Sequence, residues 1–84
     1  MSNEEIKSTI KAFIAATFLP GEPPDEINDE TRFVTDGILD SLGSLQLVAF
    51  VEKTYKVKIA AHEVDVEYLD SLDTIAALIR SKLA

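Results

Sequence analysis

The sequence predicts an all-α fold: a small bundle of three main helices plus one short helix, with a long loop between the first and second helices. Three observations carry this. Apolar residues recur at spacings of three and four in three separate segments. All three prolines, Pro20, Pro23 and Pro24, fall in one stretch between the first two of those segments. The alternating run Val57-Lys58-Ile59 is too short and isolated to build a sheet and reads as an extended link. At 84 residues the chain reads as one domain over 1–84.

The first helix spans residues 3–18. Ile6, Ile10, Phe13, Ile14 and Phe18 share its apolar side, Ser2 or Asn3 can cap it, and Glu4 and Glu5 sit well in its first turn. Pro20 and Gly21 end it. The stretch from Leu19 to Leu39 has no sustained period, yet it contains Ile27, Phe33, Val34, Ile38 and Leu39, so it is expected to lie as an ordered loop over the helices. From Ser41 to about Tyr55 the period returns. Leu47, Val48, Phe50, Val51 and Tyr55 form a core face, while Leu42, Leu45 and Ala49 make a second apolar stripe. An 84-residue chain has few elements with which to cover both faces, so the second stripe is expected to face a partner. Residues around Ala61–Val66 suggest a short helix or turn. The last helix runs from about Leu72 to Leu83, with Ser71 as N-cap and Ile75, Leu78, Ile79 and Leu83 inward.

Composition removes several function classes. The net charge of −7 and a pI near 4.5 argue against nucleic acid and anionic membranes, both of which call for clustered cations. They favour basic protein partners, and they also serve solubility. No apolar run is long enough to span a bilayer, and no signal peptide is visible, so a cytoplasmic monomer is expected. With no cysteine, the chain has no disulfide, no thiolate nucleophile and no sulfur ligand for zinc.

Catalytic patterns fail in turn. The single histidine, His62, lacks the second histidine of the helical zinc pattern and has no serine and acid placed beside it, so it reads as a surface residue at a helix start. A calcium loop begun at Asp25 would need glycine sixth and glutamate twelfth, where Glu30 and Asp36 stand. Gly21, Gly37 and Gly43 form no phosphate loop. No enzyme activity and no metal are expected.

What remains is a tripeptide that occurs twice, Asp40-Ser41-Leu42 and Asp70-Ser71-Leu72. Each serine can cap a helix. Capping accounts fully for Ser71, which precedes a strong helical pattern. Ser41 follows the long loop and opens the helix with the second apolar stripe, so a hydroxyl, a helix N-terminus and a hydrophobic strip coincide there.

The run Asp36-Gly37-Ile38-Leu39-Asp40-Ser41-Leu42-Gly43-Ser44-Leu45-Gln46-Leu47 resembles the attachment motif of acyl carrier proteins and of their peptidyl and D-alanyl relatives, and the likeness covers nearly the whole chain. The resemblance implies 4′-phosphopantetheine, taken from coenzyme A by a phosphopantetheinyl transferase and attached to Ser41 between Asp40 and Leu42. It implies an acyl or aminoacyl group held as a thioester on that arm. It implies partner contacts at Leu42, Leu45, Gln46 and Ala49, with a loading ligase and downstream acyl-processing enzymes as the partners. Fatty-acid carriers usually have acids along the helix after the serine. Here Gly43, Ser44 and Gln46 stand there, and Glu52 is the first acid on the helix after Ser41. A dedicated acyl or aminoacyl carrier is therefore expected ahead of a general fatty-acid carrier. D-alanyl and peptidyl carriers stay open, as does an unmodified acidic helical interaction module. Gly43 is expected to loosen the first turn.

Overall fold

The computed structural model describes residues 2–23 and 26–83. It is all-helical, with three long helices and one short one. The first helix, α1, spans Asn3–Phe18. Ser2 is its cap: the Ser2 hydroxyl accepts a hydrogen bond from the Glu5 N–H at 3.2 Å. Ile6, Ile10, Ile14 and Ala15 turn inward, and Phe13 and Phe18 are half-buried at the edge of the core. The helix closes when the Leu19 N–H reaches the Ala15 carbonyl at 3.2 Å, and Gly21 takes a positive φ just after Pro20.

The long loop is ordered and packed, as its apolar content requires. Ile27, Phe33 and Leu39 are buried, and Val34 and Ile38 are half-buried against the same core. Pro24 and Asp25 lie outside the described residues, so the trial calcium-loop register starting at Asp25 does as well.

The second helix, α2, spans Ser41–Tyr55. Leu47, Val48, Val51 and Tyr55 form its buried face. Phe50 is set to one side: its ring stacks on Phe13 with centroids 4.1 Å apart and planes at 15°, joining α2 to α1 from the flank. Lys56 ends the helix in the left-handed conformation, φ 56°. The link that follows is held back against α2, because the Glu52 carboxylate accepts the Ile59 N–H at 2.8 Å.

The short helix lies further along than expected. A 3-10 turn occupies Ala61–Glu63, with His62 exposed, and the short helix α3 is Val66–Leu69, capped by Asp65. Four residues are barely one turn and carry no readable period. The last helix, α4, spans Leu72–Leu83 and packs against α1, α2 and α3. Leu72, Ile75, Ala76, Leu78 and Ile79 are buried along it. Leu83, expected to face inward, is 42% exposed in the final turn of α4.

Ion pairs tie the elements together at the margins. Lys7 on α1 meets Asp29 of the loop at 3.1 Å and also Asp73 of α4. Glu63 accepts from both the Ala60 N–H, at 2.8 Å, and Lys82 on α4, at 2.7 Å.

Candidate functional site

The two Asp-Ser-Leu copies sit in different registers against their helices. In the first, Asp40 is the cap: its Oδ1 accepts the Gly43 N–H at 2.7 Å, and its carbonyl accepts the Ser44 N–H at 2.8 Å. Ser41 is thus the first residue of the helix. The expectation that Ser41 caps α2 is corrected here, because Asp40 already supplies the acceptor that the first turn needs. In the second copy the pattern moves by one residue. Ser71 is buried and its Oγ accepts the Thr74 N–H at 3.2 Å, with the helix beginning at Leu72.

The shift decides exposure. Ser71 and Leu72 are buried, whereas Ser41 is exposed and Leu42 is 65% exposed. Leu45 is 57% exposed, and Gln46 and Ala49 are exposed on the same side, so the second stripe of α2 lies uncovered by this chain. Leu47, Val48 and Val51 face the opposite way, into the core.

Beside Ser41 lies an open cleft of about 540 Å³. The loop contributes Val34, Leu39 and Asp40 to it, α2 contributes Ser41, Ser44 and Leu45, and Val64, Asp65 and Val66 close the other side. Val66 is 43% exposed, so apolar surface flanks the Ser41 hydroxyl on two elements. This second wall was not visible in the sequence. Its signal was the isolated pair Val64 and Val66 around Asp65, which has meaning only once α3 is placed opposite α2.

Gly43 sits in a tight place. A Cβ there would stand 3.1 Å from the Phe18 ring, 3.1 Å from the capping Oδ1 of Asp40 and 3.5 Å from Leu39. Glycine lets the first turn of α2 pack closely against the end of α1 while its N–H bonds the Asp40 cap.

The second copy also holds more than a cap. The Asp70 carboxylate accepts the Val34 and Thr35 N–H groups, each at 2.9 Å, and the Thr35 hydroxyl at 2.8 Å, with Arg32 3.9 Å away. Its carbonyl accepts the Phe33 N–H at 2.7 Å. These bonds, that of the Thr35 N–H foremost, hold its carboxyl below the usual carboxylate range in spite of burial. Asp70 therefore moors the segment that leads into Asp40, and the reading of the second copy as a cap with nothing left over is corrected.

What this arrangement can do chemically is limited and specific. Among the described residues no group of three or more histidine or acidic side chains is placed to hold a metal ion. No helix among them is long and apolar enough to cross a membrane. The distinctive feature is one hydroxyl, free of structural duty, at the positive end of a fifteen-residue helix beside an apolar cleft.

The profile of the family described as "Phosphopantetheine attachment site" matches residues 9–80. A chain in a crystal structure described as that of an FAD-dependent dehydrogenase is 37% identical, with 83% of this chain and 97% of that one aligned at a TM-score of 0.74. The structure described as KstB-PCP in its apo form aligns over 99% of this chain and 91% of that one, also at a TM-score of 0.74; at 23% identity it shows the shared fold alone. No curated protein matches to a significant degree. With its profile match running over most of its length, the chain belongs to the phosphopantetheine-attachment family, whose carrier domains hold 4′-phosphopantetheine covalently and catalyse nothing themselves.

Proposed function

We propose that Ser41 is the residue that bears the arm, and that the chain is a dedicated carrier of an acyl or aminoacyl group. The observation that carries this reading is the register of the first Asp-Ser-Leu: Asp40 caps α2, and the Ser41 hydroxyl is exposed at its first position. The residues fit the group. Ser41 supplies the oxygen for the phosphodiester, the N-terminus of α2 favours its negative charge, and the cleft beside it gives apolar surface. When bound, the group supplies a thiol, which the chain itself lacks. Asp40 and Gly43 shape the turn around the attachment oxygen, and Leu42, Leu45, Gln46 and Ala49 present the docking side. Residues 1–84 act as one carrier domain, cytoplasmic and monomeric.

The weak acidity of α2, where Glu52 is the single acid, supports a dedicated pathway ahead of general fatty-acid synthesis. A D-alanyl or peptidyl carrier is the nearest second reading. The 37% identity to a chain found in a flavin dehydrogenase structure supports a processing enzyme that oxidises the tethered group.

The test is intact mass after incubation with coenzyme A and a broad-specificity phosphopantetheinyl transferase. A gain of one phosphopantetheine is expected, lost in Ser41→Ala and kept in Ser71→Ala. No gain by the folded protein with an active transferase overturns the reading and leaves the unmodified interaction module. Loading with D-alanine, other amino acids and fatty acids then sorts the subtype; efficient loading by fatty-acid transacylases counts against a dedicated carrier.

A further inference from the structure

Ser44 is the polar side chain of α2 that the fold leaves unexplained. It lies one turn after Ser41, so the two side chains are neighbours, with Cβ atoms about 5–6 Å apart. Ser44 is only 9% exposed, and it lines the cleft beside Ser41. Among the described residues its hydroxyl has no hydrogen-bond partner, and none of their side-chain oxygens is both fully enclosed and unpaired. The Ser44 oxygen therefore opens onto the cleft.

Other helical hydroxyls behave differently. Thr9 on α1 donates to the Glu5 carbonyl at 3.0 Å, and Thr74 and Ser81 on α4 donate to the Ser71 and Leu78 carbonyls at 3.0 and 2.7 Å. The Asp40 carbonyl, one turn back from Ser44, accepts the Ser44 N–H at 2.8 Å and leaves the hydroxyl aside. Helix propensity does not call for serine there either, since alanine is the better helix former. The carboxylates that line the cleft already have partners in the fold: Asp40 caps α2, and Asp65 accepts the Val66 N–H at 2.8 Å. A hydroxyl nine-tenths buried, unused by the backbone and open to a cleft, points to a ligand in that cleft.

We infer that Ser44 is a positioning residue for the arm itself: its hydroxyl pairs with the first polar segment past the phosphate and holds that segment in the cleft. This rests on the carrier reading of Ser41. Beyond its phosphate the arm begins with a quaternary carbon bearing methyl groups, and a hydroxyl and an amide follow. Val64 and Val66 offer the methyl groups apolar surface on the far side of the cleft. The Ser44 hydroxyl, which can both donate and accept, matches the hydroxyl and amide that come next. A wholly apolar wall could take the methyl groups, but it would strip water from the polar segment and give nothing back. Ser44 thus suits the cleft to this arm in particular, ahead of a plain hydrocarbon chain.

The test compares wild type with Ser44→Ala, each before and after incubation with coenzyme A and a phosphopantetheinyl transferase. Intact mass comes first: a wild type that gains no arm removes the carrier reading of Ser41 before Ser44 is judged. Attachment is expected to raise the wild-type Tm by about 5 °C, the scale of one hydrogen bond with its packing in a domain of this size. Without the arm, Ser44→Ala should melt no lower than wild type, because alanine favours the helix. With the arm it should gain less than half as much, a coupling that a purely structural serine would not show. The second readout is NMR contact between the arm's methyl groups and those of Val64 and Val66, present in wild type and weakened in Ser44→Ala. The inference falls if attachment raises both Tm values equally, or if armed wild type shows no gain or no such contact. It falls equally if folded Ser44→Ala refuses the arm, which would give Ser44 to the transferase instead.

Discussion

A shift of one residue separates the two serines of this chain. Asp40 takes the capping duty at α2, so Ser41 is left exposed; at α4 the cap is Ser71 itself, and the serine is consumed by the fold. Asp40→Ala is expected to cost about 1 kcal/mol, the ordinary worth of a cap, and to leave Ser41 in place as a substrate for the transferase. Denaturant titration and intact mass check the two halves of that statement separately. Ser41 stood out in the sequence as a candidate, because its flanks and its place after a long loop marked it. The register was not legible, since aspartate and serine are equally good caps and nothing local says which of two neighbours is taken. The surroundings of Gly43 were not legible for a related reason: the sequence shows its helix propensity, while the Phe18 ring beside it comes from α1.

Among the elements, the three long helices were legible because each repeats its apolar residues over at least three turns. The α3 helix was not, being four residues long. The loop was legible as ordered, through its buried Ile27, Phe33 and Leu39, but its mooring lies some 35 residues away along the chain, where no local pattern can signal it. That mooring carries a pH dependence. The carboxyl of Asp70 is held below its ordinary value, so the unfolded chain binds the proton more readily than the folded one. Its contribution is complete above the ordinary carboxylate range and is lost as pH falls through the lower folded value. Asp70→Asn is expected to lose about 1–2 kcal/mol at neutral pH, from the charge-assisted bonds to Thr35 and Val34, and to flatten the fall of Tm with acid. A Tm-against-pH series on both proteins checks it. On α2, Leu45→Asp should change stability by no more than about 0.5 kcal/mol because the side chain is largely in solvent, while loading of the arm slows. A large loss of helical signal would place that stripe in the core.

At the scale of the whole molecule, charge and apolar surface are sorted along one helix. The apolar stripe stands next to Ser41, Lys53 and Lys56 stand at the far end, and most acids lie on the loop and the other elements. The charge total was legible from composition, but its sorting was not, because it depends on where the link after α2 returns. The register at Ser41 reaches further than its own helix. If Ser41 bears the arm as proposed, the fold is complete before the arm arrives, because the Ser41 hydroxyl holds nothing together, and folding cannot serve as a check on whether a given copy has been activated. On that reading bare copies would compete with armed ones for the same partners, and the ratio of transferase to carrier would set how much of the well-folded protein is of use.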